Sequence, residues 1–353
     1  MTSFLSENGA FENWMRTACD VVEEDLARKH ERMKKSSFLF LRATFFRWAH
    51  LVKSRAPEIL DLPSPLSVGD THVENFGTWR DAEMRLVWGV NDHDDAALIP
   101  YASDLVRLTA SVRLAEFDLS NREAAAAILG GYETGLRAAG PTLLDERERW
   151  LRDYVGVSDE ERASFWEEID GCPAAEPPEE AQSALLGGLP RGAKPERFAR
   201  RTKGGGSLGR PRFVLVANWR GGRIVREAKA ILTSGWDWAN GRTNAPNYLE
   251  EIVNASTRAP DPFLTFGHGF LVRRLSADTR KVERDADFDA KLDAKLLRAM
   301  GSEIGSIHAH SFELRDEILA DLDGRDAEWL HELGKLLSEG VEADFEEWKA
   351  FQG

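Results

Sequence analysis

The feature that most constrains this chain is a short unit near residue 70 in which two polar clusters flank one apolar run. GDTHVENFG, residues 69–77, is followed by the apolar residues of 85–90 and then by NDHDD, residues 91–95. The apolar run is too short for a buried helix and reads as a strand. If β geometry persists beyond it, Asp92 and Asp94 share one face, with His93 and Asp95 on the other. Asn75 and Asn91 lie 16 residues apart, so a turn brings the two clusters side by side. Paired carboxylates of this kind are hard oxygen ligands suited to Mg2+ or Mn2+. An Asp-rich turn explains Asp94 and Asp95 but not a second cluster, with its own glycines, before the same strand.

The rest of the chain says how that unit is housed. Residues 10–50 read as helical and strongly aromatic, and DLPSP, residues 61–65, breaks the helix and delivers an extended chain into residue 66. Leu105, Leu108 and Val112 recur at helical spacing, and Ser120 with Glu123 forms an N-terminal capping signal. GCPAAEPPEE, residues 171–180, reads as an exposed linker. Two strands joined by a glycine turn follow in RFVLVANW and RIVREAKAIL. A further strand is expected over 270–275, then a helix with Phe288, Leu292, Leu296, Met300, Ile304 and Ile307 on one stripe, then amphipathic helices over 326–348.

Charge is distributed unevenly. The 353 residues carry a net charge of -14, which opposes broad binding to nucleic acid or anionic membrane. Residues 191–212 nevertheless hold eight Lys or Arg and one acid, Glu196, a local surplus of seven. Inside that patch Gly204, Gly205, Gly206, Ser207 and Gly209 form a turn whose amides can surround phosphate oxygens. Arg226 and Lys229 follow within 25 residues. Three positions apart, they face opposite sides of a strand, so one of them reaches the phosphates, and spacing does not choose between them. Glu227 shares a face with Lys229 and is a natural partner for it. Arg273 or Lys281 extends the basic site. Arg42, set among four phenylalanines, requires a carboxylate or an anionic ligand. His308 and His310 do not share a helix face, and at least one reads as structural; Arg107 and Arg113 read as surface or paired helix residues.

Cys19 and Cys172 form no metal or disulfide pattern. No stretch is long and apolar enough for a membrane span, and Met1–Arg16 lacks a secretory apolar region. A cytoplasmic protein is expected, with no nucleic-acid or membrane partner; nothing addresses oligomeric state.

The combination of MKKSSFLFLRAT, GDTHVENFG, VNDHDDAALIPYASDLVRLTAS, GGGSLGRPRFV, VREAKA, FLVRRLSADTRKV and SIHAHS resembles the bacterial domain-of-unknown-function family DUF2252, over roughly residues 30–312. That family is similar to aminoglycoside and choline kinases and to other protein-kinase-like phosphotransferases. The resemblance implies an α+β, protein-kinase-like bilobal fold. The glycine turn follows the catalytic-loop-like motif here, so a circular permutation is expected: a helix-rich catalytic region over 1–185, a small β-containing nucleotide lobe over 186–285, and C-terminal helices over 286–353 packing on the larger lobe.

By the same resemblance Asp70 accepts the proton of the attacking hydroxyl, Asn75 and Asp92 hold the metal with Asp94 as a second carboxylate, and Asp104 is the structural aspartate opening the next helix. Val68 stands where the small-molecule kinases have histidine, and the lysine-like position falls on Arg226 with Lys229 nearby. The function expected is phosphoryl transfer from ATP, with Mg2+, to a hydroxyl acceptor. The alternatives are a metal-dependent phosphoesterase using Asp70, His72, Asn75, Asp92 and His93, and an ATP-binding pseudokinase without turnover.

Overall fold

The structure, a computed structural model, describes residues 2–146, 148–152, 157–279 and 292–352. Four helices occupy the start of the chain: α1 (Phe4–Ala18), α2 (Glu23–Met33), α3 (Ser37–Ala43) and α4 (Phe45–Arg55). The break between α3 and α4 falls at Thr44, whose hydroxyl donates to Phe40 O at 2.8 Å. Aromatic side chains hold this bundle together, Phe4 packing on Phe40 and Trp348, and Phe11 stacking on Phe46 at 4.2 Å between centroids. Arg47 is buried among them and is paired with Glu7 and with Asp344.

The chain then forms two small β-sheets. β1 (Leu66–Ser67) pairs with β4 (Ala97–Leu98), while β2 (Phe76–Arg80) and β3 (Leu86–Val90) make an antiparallel hairpin, with β5 (Thr142–Leu143) beside β3. In the hairpin Phe76 lies opposite Val90, and the pairing continues outward as Asn91 N–H donates to Asn75 O at 3.0 Å. The two polar clusters are therefore neighbours because they are the two ends of one hairpin. The strand does not persist past Val90, so the expected alternation of Asp92 through Asp95 gives way to a turn.

Behind the hairpin lie α5 (Tyr101–Ala115) and α6 (Asn121–Arg137), joined after the five-stranded sheet by α11 (Ala294–His308), α12 (Arg315–Asp323) and α13 (Trp329–Gln352). α6 and α11 approach backbone to backbone: a Cβ at Gly131 or Gly301 meets a main-chain carbonyl of the partner helix. Leu296, Met300, Ile304 and Ile307 are buried along α11 as the stripe predicts, and Leu292 is buried just before it; Phe288 and Lys281 lie outside the described residues.

The five-stranded antiparallel sheet takes all its strands from residues 194–275: β6 (Lys194–Arg200), β7 (Arg212–Trp219), β8 (Gly222–Ala230), β9 (Thr265–Gly267) and β10 (Phe270–Leu275), in the order β6-β7-β8-β10-β9. Two helices cover it, α7 (Asp159–Asp170) and α8 (Glu179–Gly187), with short helices α9 (Gly235–Ala239) and α10 (Leu249–Val253) between β8 and β9. Residues 171–180 are not a free linker: Ala175 N–H donates to Phe198 O and Arg200 N–H to Pro173 O, so this segment runs along β6. The unit built on the sheet thus starts near Asp159, ahead of residue 186.

Register sorts the sheet's side chains between two faces. Arg212, Lys229 and Leu271 are cross-strand partners, and Glu227 lies opposite Arg273, so these residues share one face. Arg226, Ala228 and Ala230 take the other, where Ala181, Ala184 and Leu185 of α8 pack with Ala228 and Ala230.

Candidate functional site

The backbone of the first cluster is fixed by Asp104, at the start of α5. Its fully buried carboxylate accepts from Val68 N–H at 2.9 Å and Gly69 N–H at 3.0 Å, and Nε2 of His308 stands 3.3 Å away. Gly69 has φ +82, and a Cβ there meets Asp95 O, so only glycine makes this turn. The expected structural role of Asp104 is carried by these bonds, and His308, also bonded to the Tyr132 hydroxyl at 2.9 Å, is its structural support.

Asn75 staples the two clusters. Its Nδ2 donates to Asp70 O at 3.1 Å and Asp92 O at 2.9 Å, while its Oδ1 accepts Asp92 N–H at 3.0 Å. Asp70 is thereby presented at a fixed place, and Arg107 of α5 grips it: Nε donates to Asp70 Oδ1 at 3.1 Å, with Nη2 bonded to the same oxygen and to Leu41 O. Burial pushes the Asp70 carboxyl above its ordinary value, and Arg107 pulls the other way.

Lys229 comes down from β8 onto the second cluster. Its Nζ reaches the two carboxylate oxygens of Asp92 and pairs with Asp94, which Arg210 also approaches at 3.4 Å. Burial and the neighbouring Asp92 raise the Asp94 carboxyl, and burial raises that of Asp95. His93 is buried beside them, its ring held well below the usual histidine range by burial and by Arg258.

The glycine-rich segment connects β6 to β7 and folds over these groups. Gly204, Gly205, Gly206 and Ser207 line a small cavity of about 30 Å3 together with Asp70, Asn75, Asp92, Asp94, Asp95, Arg42 and Arg210. A Cβ at Gly206 lies 3.6 Å from Asp70 Oδ2 and 2.8 Å from Arg42 O. The cavity adjoins a cleft of about 1170 Å3 between the sheet face bearing Lys229 and the wall formed by Val90, Asn91, Asp92 and His93. Leu208, Leu271, Leu264, Val253 and Leu249 give the cleft an apolar side.

Two expected ligands of the phosphates are not brought to this place. Arg226 lies on the opposite sheet face, where its Nε donates to Gly188 O at 2.8 Å and its guanidinium packs on Phe263. Gly209, with φ +97, packs against Met15 and Leu26 and its carbonyl accepts Val22 N–H, anchoring the end of the turn. Glu227 does not orient Lys229; arginines on three sides take it instead, Arg201, Arg212 and Arg273. Arg42 does find a carboxylate, that of Glu74.

Arg107 and Arg210 are the site residues that the sequence reading passed over. The signal for Arg107 is its setting, an arginine in mid-helix flanked by Leu105, Val106, Leu108 and Ala110; that helix is buried nearly throughout. Among the described residues no group of three or more His, Cys, Asp or Glu side chains converges as a metal-ligand set, and no helix is long and apolar enough to cross a membrane.

A family model described as "Uncharacterized protein conserved in bacteria (DUF2252)" matches residues 21–161. The match contains both carboxylate clusters, Asp104 and Arg107, and stops before the glycine-rich segment, so the likeness expected over 30–312 is shown for its N-terminal part. No curated protein and no solved structure gives a significant match to the chain.

Proposed function

We propose that this protein transfers a phosphoryl group from Mg-ATP to a hydroxyl-bearing acceptor. The observation that carries the reading is the juxtaposition in one place of the Gly204–Ser207 turn, Asp70, Asp92 and Lys229. In a protein kinase a glycine-rich loop covers the phosphates, a lysine sits on the third strand, one aspartate carries metal and another receives the hydroxyl proton. Here the turn joins the first two strands of the sheet, Lys229 is on the third, Asp92 follows the hairpin, and Asp70 precedes it.

The donor set fits Mg2+. That ion is held by one or two carboxylates plus substrate phosphates, in contrast to an all-protein cage, and Asp92 with Asp94 offers such a pair of hard oxygens. The Asn75 Oδ1 keeps a second lone pair beyond the one taken by Asp92 N–H. When bound, the ion neutralises charge on the phosphates. The residues do the rest: Lys229 and the glycine turn hold the phosphate chain, Arg107 holds Asp70 in one orientation, and Asp70 takes the acceptor's proton, a task its raised pKa favours. The apolar side of the cleft receives the base. A two-metal phosphoesterase draws less support, since it leaves the turn and Lys229 without a role and lacks a converging ligand set.

The test uses Mg-AMPPNP, read by calorimetry and thermal shift. Binding that Mg2+ alone does not reproduce, lost in Asp92→Asn, is expected. Asp70→Asn is expected to retain binding and lose turnover by about 10² or more. No binding of the nucleotide removes the proposal; binding without transfer to any acceptor identifies a pseudokinase.

A further inference from the structure

The sheet face beside Lys229 carries a second charged cluster that phosphoryl transfer from ATP does not use. Glu227 is completely buried and is contacted by three guanidinium groups: Arg201 Nη1 at 2.5 Å, Arg273 Nε at 2.7 Å and Arg212 Nη1 at 3.4 Å. Glu168 of α7 adds a second carboxylate, bonded to Arg201 at 2.6 Å and to Lys203 at 3.0 Å. Among the described residues of this cluster four cations thus meet two carboxylates, a surplus of two positive charges.

The charge cannot be titrated away. The arginines hold the Glu227 carboxyl well below the carboxylate range against the effect of burial, and the same contacts raise Arg201 further above its ordinary value. Arg201 and Arg212 are themselves buried. The buried pair is neutralised by the two carboxylates, so the surplus positive charge sits on the partly exposed Lys203 and Arg273, at the cleft, where it attracts an anion. Except for Glu227, the members of the cluster line the 1170 Å3 cleft, which is larger than the roughly 300–1,000 Å3 of a pocket for one small ligand. Through Arg212 the cluster also touches the catalytic side: its Nη2 donates to Ser207 Oγ at 2.9 Å, and Ser207 lines the cavity that contains Asp70.

We propose that Arg201, Lys203, Arg212 and Arg273 form the binding site for a phosphomonoester group on the acceptor, whose free hydroxyl then points to Asp70. This rests on the phosphotransferase reading for its second half, whereas the anion site stands without it. The charge selects phosphate: a phosphomonoester carries about -1.5 to -2 near neutral pH and balances the surplus, while one carboxylate leaves half of it. The reaction is the ordinary one, the acceptor oxygen bonding to the γ-phosphorus as the bond to ADP breaks, with the proton passing to Asp70.

The test titrates inorganic phosphate, with acetate as comparison, into the full chain by calorimetry, first free and then saturated with Mg-AMPPNP. Phosphate is expected to bind with affinities within threefold in the two states, acetate at least tenfold more weakly, and Arg273→Ala to weaken phosphate at least tenfold. Arg273 is partly exposed, which favours a folded variant, and Arg273→Lys is expected to recover part of the affinity. Displacement of phosphate by AMPPNP overturns the proposal, because the cluster is then the nucleotide's own phosphate site. Equal binding of acetate, no phosphate binding, or indifference to Arg273→Ala overturns it as well. If AMPPNP fails to bind while phosphate depends on Arg273, the anion site stands and the kinase reading falls.

Discussion

Lys229 Nζ lies 3.2 and 3.1 Å from the two carboxylate oxygens of Asp92, although 137 residues separate them in the chain. Arg226, three residues earlier, faces away and is spent on Gly188 O. The two cations are therefore expected to differ sharply. Lys229→Met should weaken Mg-AMPPNP binding about tenfold or more, the value of a charge-assisted hydrogen bond of roughly 1.5–3 kcal/mol, and Arg226→Met should change it less than twofold. Calorimetry on both variants decides; equal effects would release Lys229 from the phosphates.

Asp104 holds the backbone on which Asp70 is mounted, with two amides on its two oxygens and no exposure to water. Asp104→Asn turns one acceptor into an NH2 group facing a buried N–H. A loss of about 2–3 kcal/mol is expected, since a buried donor loses its partner. Urea unfolding measures the loss, and amide exchange should show Gly69 deprotected; a variant as stable as the parent would mean that the turn is held elsewhere.

Local pattern made much of this visible and register hid the rest. The strand β3 between the clusters, the strands β7, β8 and β10, and the stripe on α11 follow from short-range periodicity, and the structure has them, whereas β2, the other half of the hairpin, is not expected from the sequence. β6 was not apparent because KPERFAR is charge-rich and lies at the sheet edge, where strand pairing needs little apolar content. The partner of Glu227 was misjudged for a related reason. Sharing a face with Lys229 was correct, but Arg201, Arg212 and Arg273 reach it from outside β8, and cross-strand register is a tertiary property. Arg107 passed as an ordinary helix residue because its partner, Asp70, is 37 residues away.

Close approach of the glycine turn to Asp70 makes Gly206 a sensitive position. A Cβ there stands 2.8 Å from Arg42 O, a backbone atom that cannot swing aside. Gly206→Ala should lift the turn and weaken Mg-AMPPNP several-fold with little change in stability. Gly221→Ala supplies the contrast: its φ is +84 and nothing lies within 4 Å of the added methyl, so about 1 kcal/mol of stability is expected to go while affinity stays. Affinity unchanged in Gly206→Ala would show that the turn does not rest against the nucleotide.

The buried Glu227 makes part of the sheet's stability depend on acid. Its carboxyl is held well below the ordinary 4.5 by Arg212, Arg273 and Arg201, which overcome burial. A depressed folded value means that the unfolded chain takes up the proton first, so the contribution is complete above 4.5 and is lost as pH falls from there through the folded value. Glu227→Gln leaves Arg212 and Arg273 around a neutral amide, with Arg201 keeping Glu168, and is expected to cost about 3 kcal/mol at pH 7. The gap between parent and variant, followed by urea unfolding from pH 7 to pH 3, should hold steady down to 4.5 and then narrow. A gap that stays constant throughout would mean that Glu227 is not the ionised centre of the arginine cluster.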